Sequence, residues 1–192
     1  MASTAAPVQT STTTWNIDPA HSMAEFKVKH MMIANVKGHF PKVSGALLLD
    51  EFDLASSRVE ASIEAASIYT RDEQRDAHLK SADFFDAAKY AKMSFASTSV
   101  KPASDYELKV TGNLTMRGVT KEITLAVIYN GTVASFDGSM VAGFEIRTRL
   151  NRFDFGLQWN AVTEAGGIVV SNEEKVEILA EFKKAEAIAK AA

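Results

Sequence analysis

Asp18, His21 and Ser22 supply the three side-chain types of a hydrolytic triad, in which a carboxylate orients an imidazole that takes the serine proton. All three come from one short turn, and no strand-to-helix nucleophile elbow surrounds Ser22. Capping of that turn is the better account. His21, His30 and His39 recur at an even spacing, which raises a metal site. Zinc-binding imidazoles, however, ordinarily come with further His or carboxylate ligands at helix or hairpin spacing. His21 and His30 fall on or beside one strand, too far apart to share an ion, so hydrogen-bonded histidines at strand ends outweigh a metal centre. The chain has no cysteine, which removes thiol catalysis, disulfides and cysteine-ligated metals.

Two other polar groups suit binding rather than bond breaking. His30 shares an apolar strand face with Phe26 and Val28; it is either a satisfied, partly buried histidine or a polar group at a cavity mouth that orients a ligand head. The stretch Thr70 to Tyr90, TRDEQRDAHLKSADFFDAAKY, is the one long polar, helix-compatible interruption in an alternating sequence. Thr70 followed by Glu73 fits a capping box, which places a helix start there. Arg71, Arg75 and His78 offer charge-assisted hydrogen bonds to an anionic head such as pyrophosphate, with Phe84 and Phe85 as apolar anchors. The alternative is local pairing of Arg75 and Asp76 with simple packing of the two phenyl rings, and both readings stand.

The elements that must carry these groups are strands. Phe26, Val28 and His30 alternate with Glu25, Lys27 and Lys29; Val59, Ala61, Ile63 and Ala65 alternate with Glu60, Ser62 and Glu64. Met93 and Phe95, then Phe144 and Ile146, then Val176, Ile178, Ala180 and Phe182 repeat the pattern. Arg117-Gly118 reads as a hairpin turn, and Asn130-Gly131 and Asp137-Gly138 as further turns. With roughly eight to ten short strands and no βαβ rhythm, an all-β antiparallel barrel or sandwich follows, and closure would satisfy every two-faced strand. Ala24, Ala46, Ala61, Ala65, Ala126 and Ala142 form a small inward set that leaves room for a ligand or offsets Phe26, Phe95 and Phe144 in a packed core. Residues 1–14 read as a disordered leader, 15–183 as the single domain and 184–192 as a short tail.

At 192 residues with 46% hydrophobic and 23% charged positions, the chain is an ordinary globular domain. Its net charge of -3, with basic residues scattered among acids, argues against nucleic acid. No apolar run is long enough for a membrane helix. The N-terminus lacks a basic segment followed by an apolar one, so the expected compartment is cytoplasmic, or periplasmic if a signal was removed before this numbering.

The segments WNIDPAHSMAEFKVKH, VKGHFPKVSGALLLD, TRDEQRDAHLKSADFFDAAKY, GNLTMRGVTKEITL and AGFEIRTRLNRFDFGL together resemble the YceI-like family over nearly the whole domain. Asp18, His21 and Ser22 match its D-x-x-H-S motif; Arg75, Asp76, His78 and Leu79 its RDxHL motif; Arg152, Asp154, Phe155 and Gly156 its late R-x-D-F-G motif. The resemblance implies an eight-stranded, lipocalin-like antiparallel barrel with a short helical insert at one opening, commonly a homodimer. It also implies an interior that holds an isoprenoid lipid or quinone: a polyprenyl pyrophosphate or ubiquinone-like molecule. The expectation is therefore a non-enzymatic carrier or store, with no cofactor beyond the bound polyisoprenoid. Ligand-facing positions are expected at Phe26, Val28, His30, Arg71, Arg75, His78, Phe84, Phe85, Phe95, Phe144 and Ile146. An interaction or stress-response module with a packed barrel is the alternative, ahead of an enzyme acting on a small lipid or ester.

Overall fold

The computed structural model describes residues 12–161 and 169–186. One antiparallel sheet contains β1 (Thr12–Ile17), β2 (Met23–His30), β3 (Ala34–Phe40), β4 (Val43–Asp50), β5 (Arg58–Glu64), β6 (Lys92–Pro102), β7 (Glu107–Met116), β8 (Val119–Ala134), β9 (Met140–Asn151) and β10 (Val170–Lys184). β1 and β2 lie end to end along the same edge of β10, Ile17 opposite Phe182 and Met23 opposite Leu179. β3 and β4 follow suit, β4 pairing with β1 and β3 with β2. The ten strands are thus eight staves, and the β1–β10 pairing closes the ring. Residues 18–22 interrupt one stave. Pro41, which has no amide to donate, and Lys42 interrupt the other.

Alternation builds the wall. Val176, Ile178, Ala180 and Phe182 of β10 face the interior while Lys175, Glu177 and Leu179 are exposed. Two apolar clusters form, one around Phe40, Phe84, Phe85, Phe155 and Leu157, the other around Trp15, Leu49, Phe144 and Phe182. Gly38 and Gly112 make two close approaches possible: a Cβ at either would meet the ring of Phe26 or Phe95 at 2.4 and 2.5 Å. These phenyl rings lie across neighbouring staves because no side chain stands there.

The insert forms one short helix, α1 (Glu73–Lys80), and no described helix is long and apolar enough to cross a membrane. Asp72, not Thr70, is its N-cap, accepting from the Arg75 amide at 2.9 Å. Thr70 is unavailable because its hydroxyl donates to Asp76 at 2.5 Å and accepts from Arg75 Nε at 2.7 Å. Other expectations need correction too. Asn130-Gly131 is no turn: it lies within β8 at a register shift, Gly131 having φ 92°, so the dipeptide makes a bulge. Ala46 and Ala126 are exposed on the outer face, since Leu47 and Val127 beside them point in. β1 begins at Thr12, within the stretch read as leader. The remaining leader, part of the 157–167 loop and the alanine-rich end lie outside the described residues.

Candidate ligand cavity of the barrel

Between the two clusters runs a cavity of about 200 Å³. Phe26, Phe40 and Phe85 bound it towards α1; Phe95, Ile146 and Ile178 line its side, and Phe144 and Phe182 its far part. Nearly all of the surface is hydrocarbon, and the polar residues along it are mostly turned away or occupied. Glu25 and Ser94 hold outward positions between Ala24 and Phe26 and between Met93 and Phe95. The Ser57 hydroxyl accepts from the Asp50 amide at 3.1 Å, Arg58 donates to the Ala55 and Ser57 carbonyls, and the Thr148 hydroxyl donates to the Thr124 carbonyl at 3.1 Å.

Glu174 is different. It pairs with Leu150 on one side and Val28 on the other, both buried, and precedes Val176 by one inward step. Its side chain is half-buried and lines the cavity. Burial pushes the carboxyl up to about 7, an effect the Arg152 charge only partly offsets. Strand alternation held the signal: counting back from Ile178 and Val176 lands on Glu174, a carboxylate at an apolar parity.

Of the residues expected to face ligand, Phe26, Phe85, Phe95, Phe144 and Ile146 lie on the cavity wall. Val28 is buried in the wall between Glu174 and Val36. Phe84 belongs to the end plug, its ring 5.2 Å from Trp159 and 5.1 Å from His78. His30, at the end of β2 opposite Ala34 and Val170, is not on the wall, and neither are Arg71, Arg75 or His78. Arg71 is exposed at φ 66°. Arg75 donates to the Thr70 hydroxyl and carbonyl, each at 2.7 Å, while His78 meets Asp83 at 2.9 Å. Their hydrogen bonds hold the insert in place and do not converge on the cavity.

The other motif residues also serve architecture. Asp18 bridges the interrupted stave, its carboxylate 3.1 Å from His21 Nδ1, 2.9 Å from the Ala20 amide and 3.3 Å from Lys183 Nζ. These contacts, His21 foremost, hold Asp18 below the usual carboxylate range despite its burial. Ser22 exchanges hydrogen bonds with the Glu181 backbone, so His21 has no serine proton to take. Asp18, His21 and Glu181 gather ligand atoms within 4.8 Å of one another, and the Lys183 ammonium already pairs with Asp18 there. Buried Arg152 donates to the carbonyls of Leu157 (2.5 Å), Trp159 (2.8 Å), Ser171 (2.9 Å) and Val170 (3.4 Å), tying the segment after β9 to the barrel floor. Arg117 adds a second tie, donating to the carbonyls of Gly156 and Ala82.

A closed antiparallel barrel with an apolar, side-chain-lined cavity is a lipocalin-like container. The chain belongs to the YceI family, its residues 15–182 matching the YceI-like domain. A UPF0312 protein of Staphylococcus aureus strain MSSA476 is 38% identical over 175 residues, which span 91% of this chain and 99% of the relative. The YCEI protein of Campylobacter jejuni superposes with TM-score 0.69 at 31% identity, covering 83% of this chain and 91% of that one. Burkholderia cenocepacia BcnA shares the fold at TM-score 0.76 and 23% identity, over 86% and 98% of the two chains. A polyisoprenoid binding domain from Saccharophagus degradans does so at TM-score 0.64 and 16% identity, over 89% and 98%.

Proposed function

We propose that the barrel binds a long-chain polyisoprenoid lipid and stores or carries it without transforming it. The observation behind this reading is the cavity whose wall, from Phe26 to Phe182, is nearly all hydrocarbon. Removing a lipid tail from water contributes ~25 cal/mol per Å² of apolar area, from which the cost of ordering the tail subtracts. At about 200 Å³ the space is below the ~300–1,000 Å³ of common ligand sites. A long tail therefore needs give in the wall, which the flexible Met93 and Met116 side chains supply. The Saccharophagus degradans domain carries its polyisoprenoid-binding description on the same fold; that likeness supports the shape of the container, and the lining supports its contents. No nucleophile with an available base is found among the described residues, which favours holding over turnover.

Native mass spectrometry of the freshly purified protein, followed by solvent extraction, tests the reading. A stoichiometric isoprenoid is expected, lost on Phe144→Asp and kept on Lys27→Asp at the outer face. An empty protein that gains no mass from added isoprenoids would reject it, in favour of an interaction module.

A further inference from the structure

We propose that Glu174 and the wall around it form a head-group site that accepts an uncharged head bearing a carbonyl oxygen and disfavours an anionic one. This rests on the barrel being a lipid container and selects among the lipids that such a container admits.

The geometry isolates one carboxyl in a hydrocarbon cavity. β9 faces it with Leu150 and, diagonally, Thr148; β2 faces it with Val28. The segment after β9 contributes the Arg152 guanidinium, the one charge that acts on Glu174, and β2 places His30 one inward step beyond Val28, opposite Val170. Lys27, Lys29, Arg149, Glu173 and Lys175 are exposed on the opposite face. Arg152 forms no ion pair with Glu174 and commits four of its five N–H donors to backbone carbonyls, which leaves it poorly placed to hold a phosphate. Glu174 itself has no hydrogen-bond partner among the described residues.

An unpaired carboxyl in such a place keeps its proton up to about pH 7. In that form it has one O–H to donate and nothing in the cavity to receive it. A ketone, quinone or amide oxygen arriving with a lipid tail completes the bond, and the tail displaces water that would otherwise support the carboxylate. Binding above pH 7 therefore draws a proton from solution onto Glu174. A pyrophosphate would instead bring negative charge beside an acid, in a low-dielectric space where the nearby cation, Arg152, is already bonded to backbone carbonyls.

Two probes with equal farnesyl tails, farnesylacetone and farnesyl pyrophosphate, decide it by isothermal titration calorimetry in buffers of different ionisation heat. Wild-type protein should prefer the ketone, take up protons on binding it above pH 7, and lose affinity by about tenfold between pH 6.5 and 8.5. Glu174→Gln, which keeps a donor, should retain ketone binding while its pH dependence and proton uptake vanish. Glu174→Leu should lose the preference for the ketone. A wild-type preference for the pyrophosphate, or variants that match the wild type in affinity and pH profile, would overturn the head-group assignment while leaving the container intact. If neither probe binds wild-type protein, the container reading falls and this proposal with it.

Discussion

Glu174 and Arg152 are two charged side chains on the inner side of the barrel wall, and they are handled in opposite ways. Arg152 finds four carbonyl acceptors, which compensate a desolvated cation. Glu174 finds none among the described residues, and responds by holding its proton. That difference has a stability consequence with a definite sign. Between about pH 4.5 and 7 the folded chain binds more protons than the unfolded one at this position, so stability falls as pH rises through that window and levels off above it. Glu174→Gln should therefore be neutral near pH 4 and stabilising by about 1–3 kcal/mol at pH 8, measured by denaturant unfolding across pH. A constant offset at both pH values would contradict the buried-acid account. Asp18 works the other way: its lowered pKa stabilises the fold above the usual carboxylate range and is lost under acid. The late motif was legible in the sequence, but Arg152 was read as a family signature because its partners are backbone carbonyls, which no residue spacing announces. Glu174 was legible in principle through parity alone, one step beyond the alternation already noted from Val176 to Phe182.

Among the elements, strands were easy to read and their joints were not. Alternation marks a stave because each face has a different solvent, whereas a turn is fixed by a few dihedral angles that several residue types can be forced to adopt. The tight connection between β2 and β3 is an instance: Met31 and Met32 take φ 48° and 60°, left-handed values that favour Asn or Gly. Both are exposed, as is Ile33, and nothing in MMI signals a turn. Asn130-Gly131 errs in the opposite sense, because its tolerance of positive φ is spent on a bulge inside β8. The cap of α1 shifted from Thr70 to Asp72 because Asp76 and Arg75 compete for the threonine hydroxyl. Relieving the methionine turn with Met31→Asn and Met32→Gly should raise stability by about 1 kcal/mol or more, read as an increase in thermal midpoint. A lower midpoint would mean that the side chains contribute more by packing than the backbone loses to strain.

For the molecule as a whole, the container was legible from two-faced strands, and its eight-stranded closure from the family resemblance, but not the way ten strands make eight staves. A chain of ten strands reads as a ten-membered sheet until Ile17 and Met23 are seen side by side along β10. The insert plugs one end, with Phe84, Phe155 and Leu157 buried there, and the cavity's unpaired carboxyl among the described residues lies on β10 instead of on that plug. Neighbouring staves follow one another along the chain except where the first stave pairs with the last. Trp15 meets Lys184, and the Ala185 amide reaches the Thr14 carbonyl. During synthesis, therefore, the sheet waits as an open curl with the inner edges of β2 and β9 unpaired until β10 leaves the ribosome, a state prone to edge-to-edge aggregation. A chain stopped before Val170 should sediment with the insoluble fraction when expressed alone, and its recovery as soluble monomer would show that closure is dispensable. The same stave that carries the cavity's single acid is thus the one whose late arrival decides whether the chain becomes a vessel or a precipitate.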